Sequence, residues 1–168
     1  MSKLIVLSGV PGSGKSYISN LLKKLRKGHV YVIGSDDLRE LVQGDQQDLS
    51  NDPLIWKMFY ELAKVYALDK EGLVLLDACN AKEVYRTDYV QELVPLFDEI
   101  SLVMFKLDAS LVRKQNIDRD RPVQPHILEE FFKTFEDVGE KDRALFKHIY
   151  VIKEIANIAP IVDKIVSE

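Results

Sequence analysis

Eight consecutive residues, Gly9-Val10-Pro11-Gly12-Ser13-Gly14-Lys15-Ser16, combine three glycines with an adjacent lysine and hydroxyl. They fit G-x-x-x-x-G-K-[ST], in which glycines let the backbone wrap until its N–H groups converge on phosphate oxygens. The positive end of a following helix adds to that field. Lys15 is expected to reach the β- and γ-phosphates and the Ser16 hydroxyl to ligate Mg²⁺. Gly9, Pro11, Gly12, Ser13, Gly14, Lys15 and Ser16 are therefore the candidate nucleotide contacts. A glycine turn that only caps a helix is the alternative, but such a turn has no use for the Lys-Ser pair.

Acids stand at two further positions where a phosphate loop would face them. Gly34-Ser35-Asp36-Asp37-Leu38-Arg39 contains a carboxylate that could orient an incoming hydroxyl and accept its proton, with Arg39 one helical turn on to hold an anionic group of the acceptor. Ser35, Asp36 and Asp37 are also ordinary helix-capping residues. Leu75-Leu76-Asp77-Ala78-Cys79-Asn80 places Asp77 after an apolar run, where it could support Mg²⁺ or hydrogen-bond the phosphate loop; Asp-x-x-Asn is equally compatible with a capping turn. Arg113, Lys114, Arg119 and Arg121 lie in a stretch closed by Pro122 and Pro125, which reads as a lid at about 113–125. Arg119 and Arg121 are the candidates to close over a triphosphate, while Arg113 and Lys114 read as a solvated turn.

These residues need elements to position them. Short apolar runs at Leu4 to Leu7, Val30 to Ile33, Leu73 to Leu76, Leu102 to Leu107 and Ile149 to Ile152 have the length and β-branched content of buried strands. Helical spacing falls between them at about 15–27, 37–43, 53–70, 82–95, 109–117 and 125–138, with a last helix near 157–166. Alternation of this kind predicts a three-layer α/β/α domain of the P-loop NTPase type, with a mainly parallel five-stranded sheet spanning 1–168 as one domain. The loop at 9–16 then follows a strand and opens a helix, the context its motif requires.

In this setting the chain resembles the polynucleotide 5′-hydroxyl kinase branch of the P-loop kinases, among the AAA-type ATP-binding kinase-like proteins. The resemblance rests on Gly9 to Ser16, Asp36 with Arg39, Asp77 to Asn80, and Gln115-Asn116-Ile117-Asp118-Arg119 leading to Val123. It implies an ATP-dependent kinase in which Lys15, Asp36 and Arg119 are catalytic, Arg39 binds the acceptor, and Ser16 with Asp77 serves the metal. Gln115 stands where the lid's first arginine is expected, so that Arg121 or Arg113 would have to substitute, and Cys79 replaces a more usual threonine.

Charge bears on the acceptor. The 168 residues carry 23 basic and 27 acidic side chains, a formal net of −4, so no global positive field draws the protein onto nucleic acid. Between Asp36 and Asp52 six acids face one base, Arg39. Binding of an extended polynucleotide is therefore not favoured, and a small hydroxyl compound or a nucleotide end is the expected acceptor. An ATP-binding or slowly hydrolysing regulatory module without a dedicated acceptor is the alternative. Phe105-Lys106-Leu107-Asp108 lacks the asparagine of a guanine-reading motif, which favours ATP. One cysteine, Cys79, allows no intramolecular disulfide and no apolar run nears the ~18 residues of a membrane span, so a cytoplasmic protein is expected. His29, His126 and His148 show no metal-ligand spacing. Trp56, Phe59, Tyr60 and Tyr66, like Phe131, Phe132 and Phe135, read first as core, although the helix carrying Trp56 could wall the acceptor cleft.

Overall fold

A computed structural model describes residues 1–168. Five parallel strands, β1 (Lys3–Ser8), β2 (Val30–Gly34), β3 (Leu73–Asp77), β4 (Glu99–Phe105) and β5 (His148–Ile152), lie in the order β2-β3-β1-β4-β5. β1 is buried along its whole length. Its side chains alternate between faces as the pleat requires. Leu4 and Val6 join Val74 and Leu76 on one face, covered by α2 (Ser35–Gln43) and α3 (Asp52–Tyr66) through Leu38, Ile55 and Phe59. Ile5 and Leu7 join Leu73 and Leu75 on the other, under α1 (Lys15–Leu25) and the C-terminal helix Ile158–Ser167. Helices on both faces of a parallel sheet make the expected three layers.

The chain leaves β1 for β2 and β3 on one side and then crosses to β4 and β5 on the other. The crevice at the carboxyl ends of β1 and its neighbours is the switch point where open α/β sheets bind ligands. The phosphate-loop sequence and the ends of β2 and β3 all open there.

Several expected elements differ. The helix expected over 82–95 is replaced by α4 (Glu83–Arg86) and a 3-10 turn at Gln91–Leu96. Arg86 is fully buried, so packing rather than local helical spacing sets the course of the chain after α4, and Pro95, which supplies no N–H, lies inside the later 3-10 turn. The helix expected over 125–138 stops at Thr134 as α6 (Pro125–Thr134). Beyond it the Glu136 N–H bonds the Ala81 carbonyl, and the Glu136 and Asp137 carbonyls turn to Arg86. A short α7 (Glu140–Leu145) follows, and the helix expected to 70 ends at Tyr66. β4 begins at Glu99 and not Leu102, because Lys147 and Lys3 compensate the buried carboxylate. α5 (Ala109–Ile117) packs with α6 around a small separate cluster of Val10, Val112 and Leu128, which the half-buried Phe131, Phe132 and Phe135 cover.

Candidate active site

The backbone wraps at Gly12 (φ +79°) and Gly14 (φ +106°), left-handed conformations that glycine adopts without strain. Gly9 is tight for another reason: a Cβ there would come within 2.5 Å of Ser13 Oγ. Lys15 folds over the loop, its Nζ donating to the carbonyls of Gly9 at 3.0 Å and Val10 at 3.1 Å. α1 starts behind Gly14 with no side-chain cap, so its first N–H groups face the loop's hollow unpaired by any capping side chain. Ser13 Oγ is buried without a partner.

Asp77 ends β3 against this loop and accepts from Ser16 Oγ at 3.3 Å. Burial pushes its carboxyl above the usual carboxylate range, against the pull of Lys15 and the Ser16 hydroxyl. Asn80 does not cap a helix. At φ +44° it donates from Nδ2 to the Leu7 carbonyl at 2.7 Å, while its own carbonyl accepts from Ser8 Oγ and Arg86 Nη1. With Gly9 N–H donating to the Cys79 carbonyl at 2.9 Å, the segment after β3 is stitched to the start of the phosphate loop.

Asp36 and Asp37 take different directions at the start of α2. Neither caps α2, whose N-cap is Gly34; Asp37 folds back until its Oδ2 lies 2.6 Å from where a Gly34 Cβ would stand. Asp36, with its side chain 62% exposed, lines the cleft. Arg39 is buried, donating from Nη1 to Asp36 Oδ1 and from Nε to Asp52 Oδ1, each at 3.1 Å. Its guanidinium carbon stands 5.8 Å from the Trp56 ring centroid.

On the opposite wall Arg119 has Nη1 buried without a partner, and its Cδ passes 3.7 Å from the Cβ position of Gly12. Asn116 shapes the segment that carries it: Nδ2 donates to the Val123 carbonyl at 2.8 Å and Oδ1 accepts from Val123 N–H at 2.9 Å. Arg121 lines the cleft but is engaged by Glu40 Oε2 of α2 at 2.9 Å. Arg113 pairs with Glu129 and stacks on Phe132, outside the cleft. Gln115 does line it, with Oε1 buried and unpartnered. The cleft enclosed by these groups holds about 1040 Å³, and Trp56, Tyr60, Tyr85 and Tyr89 wall the end beyond Asp36.

A family model described as an AAA domain, AAA_33, matches residues 4–138. The chain belongs to this family. Protein kti12 of Schizosaccharomyces pombe is 23% identical over 145 residues, 80% of this chain and 51% of that protein, so the chain spans about half the length of this relative. Kti12 of Chaetomium thermophilum, solved in complex with ADP-AlF3, superposes with a TM-score of 0.74 at 17% identity, covering 96% of each chain. A fungal RNA kinase superposes with a TM-score of 0.63 at 16% identity over 100% of this chain and 87% of that one. The AAA_33 chain thus has the P-loop kinase-like fold its sequence resembles, with the nucleotide loop in the expected strand-loop-helix setting. No helix is long and apolar enough to cross a membrane.

Asp52, Tyr85 and Tyr89 join the site from outside the sequence motifs. Asn116 lay within the lid resemblance without an assigned task, and its spacing to Val123 was the available signal. At the other edge of the sheet Glu99, His148 and Glu168 converge, but Lys3 and Lys147 pair with these carboxylates.

Proposed function

We propose that this chain is an ATP-dependent phosphotransferase that moves the γ-phosphate of ATP to a hydroxyl of a small molecule or nucleotide end. The observation that carries this reading is Asp36: a solvent-facing carboxylate, steadied by Arg39, in the same cleft as Lys15 and Arg119. Lys15, the loop amides and Arg119 hold the triphosphate. The acceptor hydroxyl oxygen attacks the γ-phosphorus, forming the new P–O bond as the bond to the β–γ bridging oxygen breaks. ADP takes that electron pair, and the hydroxyl proton passes to the Asp36 carboxylate. Arg119, its Nη1 lacking any protein partner, meets the charge that develops between donor and acceptor.

Ser16 and Asp77 present a hydroxyl and a carboxylate oxygen, donors that suit a hard cation such as Mg²⁺. Such an ion, when bound, neutralises charge across the β- and γ-phosphates. Lys15 turned inward on the Gly9 and Val10 carbonyls fits a loop ready to receive the phosphate tail. Arg39, expected to grip the acceptor, acts here as a positioning residue for Asp36, since two carboxylates already occupy its Nε and Nη1. The segment 113–125 acts as a lid, with Arg121 joining it to α2.

That engagement of Arg39 also favours the second reading, a module that binds or hydrolyses ATP without a dedicated acceptor. Incubation with γ-labelled ATP and a panel of sugars, nucleosides and 5′-hydroxyl oligonucleotides separates the two. A phosphotransferase moves label onto at least one acceptor faster than it releases inorganic phosphate. Release of phosphate alone across the panel would support the regulatory module.

A further inference from the structure

The cleft runs past Asp36 into a wall that the reaction chemistry leaves unused. Arg39 passes from Asp36 to the face of Trp56, and three further rings continue the line. Trp56 and Tyr60 lie 6.4 Å apart between centroids at 30°, Tyr60 and Tyr89 6.3 Å apart at 17°, and Tyr89 and Tyr85 5.7 Å apart at 40°. Core packing does not account for all of them, since Tyr85 is 40% and Tyr89 55% exposed while both line the cleft. The Tyr60 hydroxyl has no protein partner, and burial pushes its pKa upward. The wall is fixed from behind. Tyr85 precedes the fully buried Arg86, whose guanidinium bonds Asp142 and four carbonyls, so α4 has little freedom to turn its rings away.

Charge narrows what this end can hold. Its buried arginine, Arg39, is committed to Asp36 and Asp52, and the exposed Arg121 rests on Glu40. Lys82 rests over Tyr85 with Nζ 5.9 Å from the ring centroid but does not line the cleft. Asp36 itself faces the acceptor. A phosphate or carboxylate placed here would meet carboxylates and engaged cations, whereas a flat uncharged ring would meet aromatic faces.

Resting on the phosphotransferase reading, we infer that the acceptor carries a planar aromatic ring without anionic charge, seated against Trp56, Tyr60, Tyr89 and Tyr85, with its hydroxyl presented to Asp36. The shared chemistry is an aromatic alcohol, supplied either by a nucleoside or by a phenyl-bearing alcohol.

Trp56 is the chain's single tryptophan and reports directly on this wall. With the nucleotide site saturated by ADP, its fluorescence is titrated with adenosine, 2-phenylethanol, ribose and a mixed-sequence 5′-hydroxyl oligonucleotide. The proposal expects saturable quenching by adenosine, 2-phenylethanol or both, the pattern telling a nucleoside source from a phenyl one. Ribose should leave the signal flat, and the oligonucleotide should bind more weakly than the better aromatic probe. Tyr89→Ala should weaken aromatic binding at least about fivefold and Tyr89→Phe should restore it, with ADP affinity measured alongside as a check on folding. Binding of ribose or the oligonucleotide as tightly as both aromatic probes, no response to either aromatic probe, or an unaffected Tyr89→Ala variant would overturn it. Ring binding without phosphate transfer to either aromatic alcohol would count against the kinase reading and leave the wall standing. Transfer to acceptors with no ring preference would do the reverse.

Discussion

Arg86 Nη2 donates to Asp142 Oδ2 at 2.8 Å in a site that neither side chain leaves for solvent. The pair joins α4 to α7 and, through the Asn80 and Ala81 carbonyls, holds the segment between Asp77 and the aromatic wall. Removing one partner strands a buried charge, which costs about 3–5 kcal/mol, whereas an exposed pair such as Arg121 with Glu40 is screened by solvent and contributes little.

Asp142→Ala should therefore lower the thermal midpoint by roughly 6–20 °C for a chain of this size. Arg86→Met should cost at least as much, because it also leaves the Asn80, Ala81, Glu136 and Asp137 carbonyls without their donor. Scanning calorimetry of the two variants checks the order, and an Asp142→Ala midpoint within a degree of the parent would refute the assignment.

Asn116 makes both of its bonds to the backbone of Val123, closing the segment that carries Arg119. Asn116→Ala should cost about 1–3 kcal/mol, expressed first as weaker ATP binding because the freed segment is local to the cleft. Titration of a nonhydrolysable ATP analogue, set beside urea unfolding, measures the two effects separately.

The phosphate loop was legible because its chemistry is contiguous: Gly9 to Ser16 supply turn, amides, cation and hydroxyl within one strand-loop-helix unit. β1 and β3 were legible because strands buried on both faces read as unbroken apolar runs. Arg86 was not, because a buried arginine is sustained by Asp142, 56 residues away, and its burial breaks a helix that local spacing favours. Glu99 hid the start of β4 for the same reason, its lysine partners being remote in sequence. Arg121 is a lid cation in sequence, yet Glu40, 81 residues away, claims its guanidinium. The sequence leaves Trp56 and Tyr60 between core and cleft wall, because Tyr85 and Tyr89, which continue their surface into the cleft, belong to a different element.

Glu99 gives a pH dependence of defined sign. Burial alone would raise its carboxyl pKa, but the Lys147 hydrogen bond with the charges of Lys3, Lys147 and His148 holds it below the usual range. A carboxyl depressed in the folded state stabilises above its unfolded value of about 4.3 and loses that stabilisation as pH falls through the folded value. Glu99→Gln should be less stable than the parent at pH 7, and the difference should shrink below about pH 4. Urea unfolding midpoints across pH 3–7 follow the trend; a difference that widened on acidification would have the wrong sign.

The central claim is that Asp36 takes the acceptor's proton while the loop around Lys15 independently holds ATP. The direct measurement is the phosphate-transfer rate of Asp36→Asn beside its ATP affinity, using the best acceptor from the labelled panel. The account predicts a rate reduced about 10²–10⁴-fold with ATP affinity essentially retained, in contrast to Lys15→Ala, which should lose both. Transfer by Asp36→Asn at the parental rate, or a parallel collapse of its ATP binding, would contradict it.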